Sequence, residues 1–375
     1  MLYNIDKRLK GDMQMEKSLR AAGKFSLSGN IQSCERYGSG HINLTFLIIT
    51  DTGKRYILQK INSVVFPDVP GLMRNISSVT KYLSERVSEP RECLHLVPTL
   101  DGREYLRDED GEYWRVYDYV EDSLCLQAPE SDADFYESAS AFGNFQSQLS
   151  DFPAHTLCET VKNFHNTPIR FQNFRRALEA DAVGRAKECE YEIGEYLRRE
   201  EDGAALQTML KNGEVPLRVT HNDTKLNNVM LDAQTRKALC VIDLDTVMPG
   251  LRAYDFGDSI RFGAATAAED EKDLCRMDID LGLYRIFTRG FIRACPDITE
   301  GELKSLPYGA KLMTLECGVR FLTDYLEGDR YFAVHREGHN LDRCRTQLRL
   351  VQQMERKWDE MNRIVLEEYE AAQKN

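Results

Sequence analysis

Apolar residues alternate with polar ones along three early runs, NIQSCERY, LTFLIIT and RYILQKI, the last two separated by the turn DTG. Period-two alternation bounded by an Asp/Gly turn predicts strands and a hairpin. From Pro67 to about Val87 the spacing changes: Leu72, Ile76, Val79 and Leu83 recur at helical intervals, with prolines only near the start. The strand pattern then returns in CLHLVPTL, EYLR and EYWRVYDYV, around a DG and a DEDGE turn. Beyond Glu121 the pattern becomes helical over about 132–150, 170–211, 278–294, 301–327 and 341–373, with one β-like island at 217–245. The fold class expected is α+β. It has two lobes, a small antiparallel-sheet N-lobe with one inserted helix (25–121) and a larger helical C-lobe (122–375), after an N-terminal extension (1–24). The short boundary near 121–126 suits a hinge better than a linker.

Composition narrows the function. With 375 residues, 42% of them hydrophobic, the chain can build two cores. Its 49 Lys plus Arg against 61 Asp plus Glu give a net charge of −12, which repels phosphate backbones, so no nucleic-acid partner is expected. Acidic runs such as DEDGE and EDEKD read as solvated turns. The ten cysteines are never closer than 20 residues apart, so no C-x-x-C pair for zinc or redox work exists. No apolar leader or membrane-length segment is visible, so a cytoplasmic location without a membrane partner is expected, as a monomer or weak homo-oligomer.

The island carries the chemistry. LRVTHNDTKLNN places Asp223, Lys225 and Asn228 in a turn after a short strand, in the form H-x-D-x-K-x-x-N. Phosphoryl transfer needs such a set: a carboxylate to orient the acceptor and take its proton, a cation for the moving phosphoryl group, and an amide oxygen for magnesium. Counting forward, two short strands end at Asp243, which a hairpin would return beside Asn228. The tripeptide DFG at Asp255 would advertise a metal ligand in a protein kinase. It lies past Pro249 and Gly250, where the chain has left the hairpin, so Asp255 is expected to cap or brace the loop, with Asp258 sharing that role. Asp245 reads equally as a metal contact through water or a turn-stabilising carboxylate. His221 is expected to be scaffold, bonded to backbone.

These strings, VTHNDTKLNN with VIDLDTVMPG and YDFGDSIRF, resemble the aminoglycoside phosphotransferase and choline kinase superfamily. Together with YGSGHIN, RYILQ and ECGVRFLTDYLEGD they look like the bacterial N-acetylhexosamine 1-kinases, a resemblance spanning about 25–360. It implies ATP and Mg2+ as cofactors, a sugar as the small-molecule partner, Asp223 as base, and Asn228 and Asp243 as metal ligands. In the N-lobe, Gly38, Gly40 and Asn43 occupy the place of a phosphate-covering glycine turn, Asn43 standing where a third glycine tolerates left-handed backbone. Gln59 stands where V-A-I-K would put a phosphate-binding lysine, and Lys60 faces the other side of the strand. Magnesium and Lys225 are therefore expected to neutralise the phosphates. Adenine is placed at hinge residues Tyr119, Val120 and Glu121. The resemblance points Arg320 to ring hydroxyls, the alternative being an ion pair with Glu316 four residues earlier. His41, Phe262 and Tyr331 are its expected neighbours, although Phe262 reads more readily as core. The resulting expectation is an ATP-dependent kinase of the anomeric C1 hydroxyl of N-acetylhexosamines. The rivals are a same-fold kinase for choline, homoserine or an aminoglycoside, and a nucleotide-binding pseudokinase. No G-x-x-x-x-G-K-[ST] occurs, which excludes a P-loop enzyme.

Overall fold

The alternating runs form the strands their pattern predicts. The computed structural model describes residues 14–38, 40 and 42–374, which fall into two units. The first takes the chain up to Ser123 together with 157–161 and 239–245. It opens with helix α1, described over 14–22, followed by β1 (Ile31–Arg36), β2 (Leu44–Thr50), β3 (Arg55–Ile61), α2 (Val69–Ser84), β4 (Leu96–Val97), β5 (Leu106–Arg107) and β6 (Tyr113–Asp118). The sheet is antiparallel in the order β1-β2-β3-β6-β4, with β5 also on β6. In β2 and β3 every second side chain is buried, so Phe46, Ile48, Tyr56 and Leu58 form a core with Trp114, Val116 and, from α1, Ala21 and Ala22. The β2–β3 turn closes on Gly53, whose φ of 80° is the left-handed conformation the hairpin requires. On α2, Asp68 caps the N-terminus and Leu72, Ile76, Val79 and Leu83 are buried, as their spacing implies.

The register of β3 on β6 sets which polar side chains share a face of the sheet. Gln59 lies directly opposite Arg115, and Lys60 opposite Trp114. Cross-strand partners project to the same side, so Gln59 and Arg115 stand together while Lys60 points the other way and pairs with Glu112.

After β7 (Ser123–Cys125), the second unit contains α3 (Asp132–Gln148), α4 (Thr167–Ala180), α5 (Glu190–Leu197), α6 (Ala205–Lys211), β8 (Arg218–Thr220), β9 (Val229–Asp232) and, after β10 (Ala238–Val241), β11 (Met248–Gly250). Then come α7 (Arg252–Gly263), α8 (Leu281–Arg293), α9 (Glu300–Glu327), α10 (His339–Arg356) and α11 (Trp358–Gln373). Two predicted helices are broken. The 170–211 stretch stops where Asp181 turns left-handed at φ 34° and Gly184 follows at 71°, and it resumes only as short pieces. The 341–373 stretch is two helices meeting at Lys357. Helix α9 starts from a capping box of Thr299 with Glu302 and ends at left-handed Gly328. Its helically spaced Leu312, Leu315, Val319, Leu322 and Leu326 are buried. Helix α7 lies so close to α9 that a Cβ on Gly309 would sit 2.1 Å from the Ala253 carbonyl oxygen. No helix among the described residues is long and apolar enough to cross a membrane.

Candidate active site

Strand β8 delivers the chain into the loop His221–Asn228, and helix α7 holds that loop by its backbone. The buried carboxylate of Asp255 accepts the N–H of His221 at 2.9 Å and of Asn222 at 2.8 Å, and also the side-chain amide of Gln146 from α3. Asp258 accepts the N–H of Thr224 at 3.1 Å, Ser259 donates to the Thr224 carbonyl at 2.8 Å, and Thr224 donates to the Asp255 carbonyl at 2.7 Å. Asp255 thus braces the loop as expected, and Asp258 shares the work. Burial pushes the Asp255 carboxyl above the usual range, against the pull of His221 and the two backbone donors. His221 is fully buried edge-on against Phe142 and Phe145, and its Nδ1 accepts the Asp223 N–H at 3.3 Å. It is scaffold. Asn222, at φ 67°, makes the left-handed step that turns the loop.

With that backbone fixed, three polar side chains meet. The Lys225 ammonium lies 2.6 Å from one oxygen of Asp223, and the Asn228 amide donates to the Asp223 carboxylate at 3.1 Å and to its carbonyl at 2.8 Å. Burial opposes the charge on Lys225, but Asp223 and Asp258 outweigh it and hold its pKa above the usual lysine value. Asp258 is likewise buried, yet Arg261, Lys225 and His165 hold its carboxyl below the ordinary range. The carboxylate of Asp223 remains about one-third exposed.

The residues expected on the acceptor side are arranged differently from the sequence reading. Glu316 is not an ion-pair partner on the surface of α9. It is 2% exposed and accepts His165 Nδ1 at 3.1 Å and the Thr167 hydroxyl at 2.6 Å. Burial works against its charge, but His165, Thr167 and Arg320 hold its carboxyl low. Arg320, half-buried, makes no hydrogen bond or ion pair among the described residues; its guanidinium lies 5.8 Å from the ring centre of Tyr331 and 5.3 Å from that of Phe332. Arg170, from α4, donates to the Phe164 carbonyl at 2.8 Å and leaves its buried Nε without a partner. Burial and the neighbouring charge of Arg320 depress its pKa. The buried Nε2 of His165 also has no partner. Phe262 is no core residue: it is 52% exposed, and Tyr331 is 72% exposed. His41 lies outside the described residues. Sequence reasoning missed His165 and Arg170, which no motif marks.

The residues expected on the nucleotide side belong to the first unit. Gly38, at φ 71°, and Gly40 flank the turn between β1 and β2. Asn43 does not adopt the left-handed backbone expected of a glycine substitute. It is 8% exposed, its side-chain oxygen accepts the Asn62 N–H at 2.9 Å, and its amide donates to Asp245. Asp245 also pairs with Arg115, so this carboxylate is used within the protein. The Gln59 oxygen accepts Arg115 Nε at 3.0 Å and Nη2 at 2.8 Å, while its nitrogen donates to Thr45 at 3.2 Å. Arg115 is the residue that sequence reasoning missed on this side. Among the residues expected to meet adenine, Tyr119 N–H donates to Arg55, the Val120 carbonyl accepts Ser123, and the Glu121 carbonyl accepts Arg91. The Tyr119 carbonyl and the Glu121 N–H make no such bond among the described residues, an acceptor and a donor two residues apart, as an adenine edge would use.

The donors for a divalent cation are hard oxygens. Since the Asn228 nitrogen is committed to Asp223, its oxygen is the atom left for a metal. Asp243 follows β10 in a left-handed conformation, φ 59°, a strained placement for a non-glycine residue of the kind found at functional positions. Among the described residues no group of three or more His, Cys, Asp or Glu could hold an ion. That donor chemistry fits magnesium, which takes one or two protein ligands and completes its shell with phosphate and water.

An antiparallel-sheet unit followed by a helical unit with a clamped Asp-x-Lys-x-x-Asn loop is the fold of kinase-like phosphotransferases of small molecules. The chain belongs to the phosphotransferase enzyme family, whose pattern matches residues 33–287. Among solved structures it is similar to a microcompartment-associated aminopropanol kinase, with 16% identity, coverage of 92% of this chain and 98% of that one, and a TM-score of 0.62. It is also similar to an aminoglycoside phosphotransferase from Alicyclobacillus acidocaldarius, at 14% identity, 95% and 96% coverage and a TM-score of 0.60. An amicoumacin kinase solved with AMP-PNP and Ca2+ matches at 13% identity, 93% and 96% coverage and a TM-score of 0.61.

Proposed function

We propose that this phosphotransferase is an ATP- and Mg2+-dependent kinase of the anomeric C1 hydroxyl of N-acetylhexosamines. Bound Mg2+ would neutralise the ATP phosphates, and the Asn228 oxygen and Asp243 are each candidate ligands for it, as the resemblance implies. Asp223 takes the proton of the sugar hydroxyl as its oxygen bonds to the γ-phosphorus and ADP leaves. The anomeric hydroxyl is more acidic than an ordinary sugar alcohol, so one carboxylate suffices. Lys225, 2.6 Å from Asp223, supplies charge near the transferred group. The rest is orientation, which the clamp from α7 provides.

The choice of acceptor rests on one observation: burial and the nearby Arg320 depress the pKa of Arg170, and neither guanidinium has a carboxylate in ion-pair contact among the described residues. Two such guanidiniums repel the cationic groups of amino alcohols, choline and aminoglycosides, whereas their donors suit hydroxyl and acetamide oxygens. Tyr331 and Phe262, both exposed, offer apolar faces to a sugar ring. His165, held through Nδ1 by Glu316, has Nε2 left for an acceptor hydroxyl.

ADP release measured against a panel of N-acetylglucosamine, N-acetylgalactosamine, hexoses, choline, homoserine, amino alcohols and aminoglycosides tests this reading. Turnover on an N-acetylhexosamine with loss of turnover in Asp223→Asn is expected. Inactivity on both N-acetylhexosamines alongside activity on a cationic acceptor would overturn it.

A further inference from the structure

Strand β3 lacks the lysine that binds ATP phosphates in kinases, and Gln59 occupies its place. Directly across the sheet on β6, Arg115 is 1% exposed. An arginine cannot shed its charge by deprotonation, so a buried one must be paired or must serve a charged ligand. Arg115 is held in a fixed pose by the Gln59 oxygen, at 3.0 Å from Nε and 2.8 Å from Nη2, and its Nη1 lies 2.5 Å from Asp245. Burial opposes its charge, but Asp245, Tyr117 and Asp243 outweigh it. The other oxygen of Asp245 accepts the amide of Asn43, which in turn receives the Asn62 N–H just past β3. One charge therefore ties together β3, β6, the end of the glycine turn and the segment carrying Asp243.

We propose that Arg115 is the relocated cation of the nucleotide half of the site, moved one strand over from the usual lysine, and that it positions Asp243 and the glycine turn for Mg-ATP through Asp245 and Asn43. Gln59 is then the bracket that aims Arg115. A lysine at 59 in its place would put two cations on neighbouring positions of one face, which is why the glutamine and the arginine occur together. Arg115 is a positioning residue, because it is 1% exposed, its Nε and Nη2 donate to Gln59, and its Nη1 lies in ion-pair range of Asp245. The idea rests on the phosphoryl-transfer reading and is independent of which acceptor is used.

The test is direct binding of a fluorescent ATP analogue to the intact protein, titrated with Mg2+ and without acceptor, beside steady-state kinetics and thermal melting. Arg115→Gln is expected to weaken nucleotide binding about tenfold or more and to raise the Mg2+ half-saturation by a similar factor, while acceptor KM stays within about twofold, magnitudes in line with losing a charge-assisted contact. Arg115→Lys should recover part of the loss, and Gln59→Ala, which keeps the charge and frees its aim, should weaken binding about threefold. The swap Gln59→Lys with Arg115→Gln should bind better than Arg115→Gln alone. If Arg115→Gln fails to fold, Arg115→Lys and Gln59→Ala decide. Nucleotide binding and Mg2+ half-saturation within twofold of the parent in folded variants, or a swap no better than Arg115→Gln, would overturn the proposal. Absence of nucleotide binding in the parent would instead remove the phosphoryl-transfer reading itself.

Discussion

Asp255 and Asp243 show how far a side chain's meaning depends on its neighbours. Asp255 stands in a DFG that imitates a metal-binding motif, yet it is fully buried and spends both oxygens on the loop. Asp255→Asn loses one of those acceptor atoms, so unfolding free energy should fall by about 1–3 kcal/mol, the cost of leaving a buried donor unsatisfied. Its Mg2+ half-saturation should stay close to the parent's. Asp243→Asn should do the reverse, and paired melting and metal titrations separate the two. Counting along the hairpin was enough to demote Asp255. Counting could not find the partners of Glu316, because i to i+4 spacing promised Arg320 while the groups that bind Glu316 lie about 150 residues upstream in sequence. On the proposed reading Arg320 contacts the acceptor, and Arg320→Met should raise acceptor KM about tenfold, the size of a lost charged hydrogen bond, with ATP KM unchanged. A matching rise in ATP KM would show a general loss of structure.

Helix α7 joins stability to catalysis at the level of elements. It carries Asp255, Asp258 and Ser259 to the loop, and its own place depends on close approach to α9. A Cβ at Gly309 would meet backbone, which cannot rotate away, so Gly309→Ala should push the helices apart. The expected cost is about 1–3 kcal/mol of stability, as for overpacked cores, together with a fall in kcat. Urea unfolding and turnover measured on the same samples check it; unchanged kcat at reduced stability would uncouple the helix from the loop. The strands, α2 and the α9 stripe were legible because alternation and helical spacing report which face is buried. The break after Ala180 was not legible, because its cause is a left-handed aspartate whose side chain has no sequence signature of its own. The pairing of Gln59 with Arg115 was equally hidden, since register between strands separated by an inserted helix is a tertiary fact.

For the molecule as a whole, buried ionisable groups set the pH response. Glu302, Glu316 and Asp258 are buried, which by itself would raise their pKa values, but Arg218 and Arg252, His165 and Thr167, and Arg261 respectively hold them below the ordinary carboxyl range. A lowered native pKa means the unfolded chain binds the proton first, so this stability is complete above the unfolded glutamate value of 4.5 and is lost as pH falls through the native values. Asp255, with a raised native pKa, has the opposite sign and partly offsets the loss. Melting temperature should therefore fall below about pH 4.5, Glu316→Gln should flatten that fall, and Asp255→Asn should steepen it. A slope indifferent to all of these would refute the assignment.

What the sequence determined by itself is local. Alternation, helical spacing and a turn motif depend on neighbours along the chain, where backbone geometry leaves few choices, and they sufficed for the fold class and for bringing Asp223, Lys225 and Asn228 into one loop. The tertiary structure decided which charge meets which. Gln59 with Arg115, Glu316 with His165, and Asp255 with the loop N–H groups are set by strand register and helix packing across 33 to 151 residues of sequence. Electrostatic interactions depend on distance in space and on burial, and neither is written in the spacing of residues along the chain.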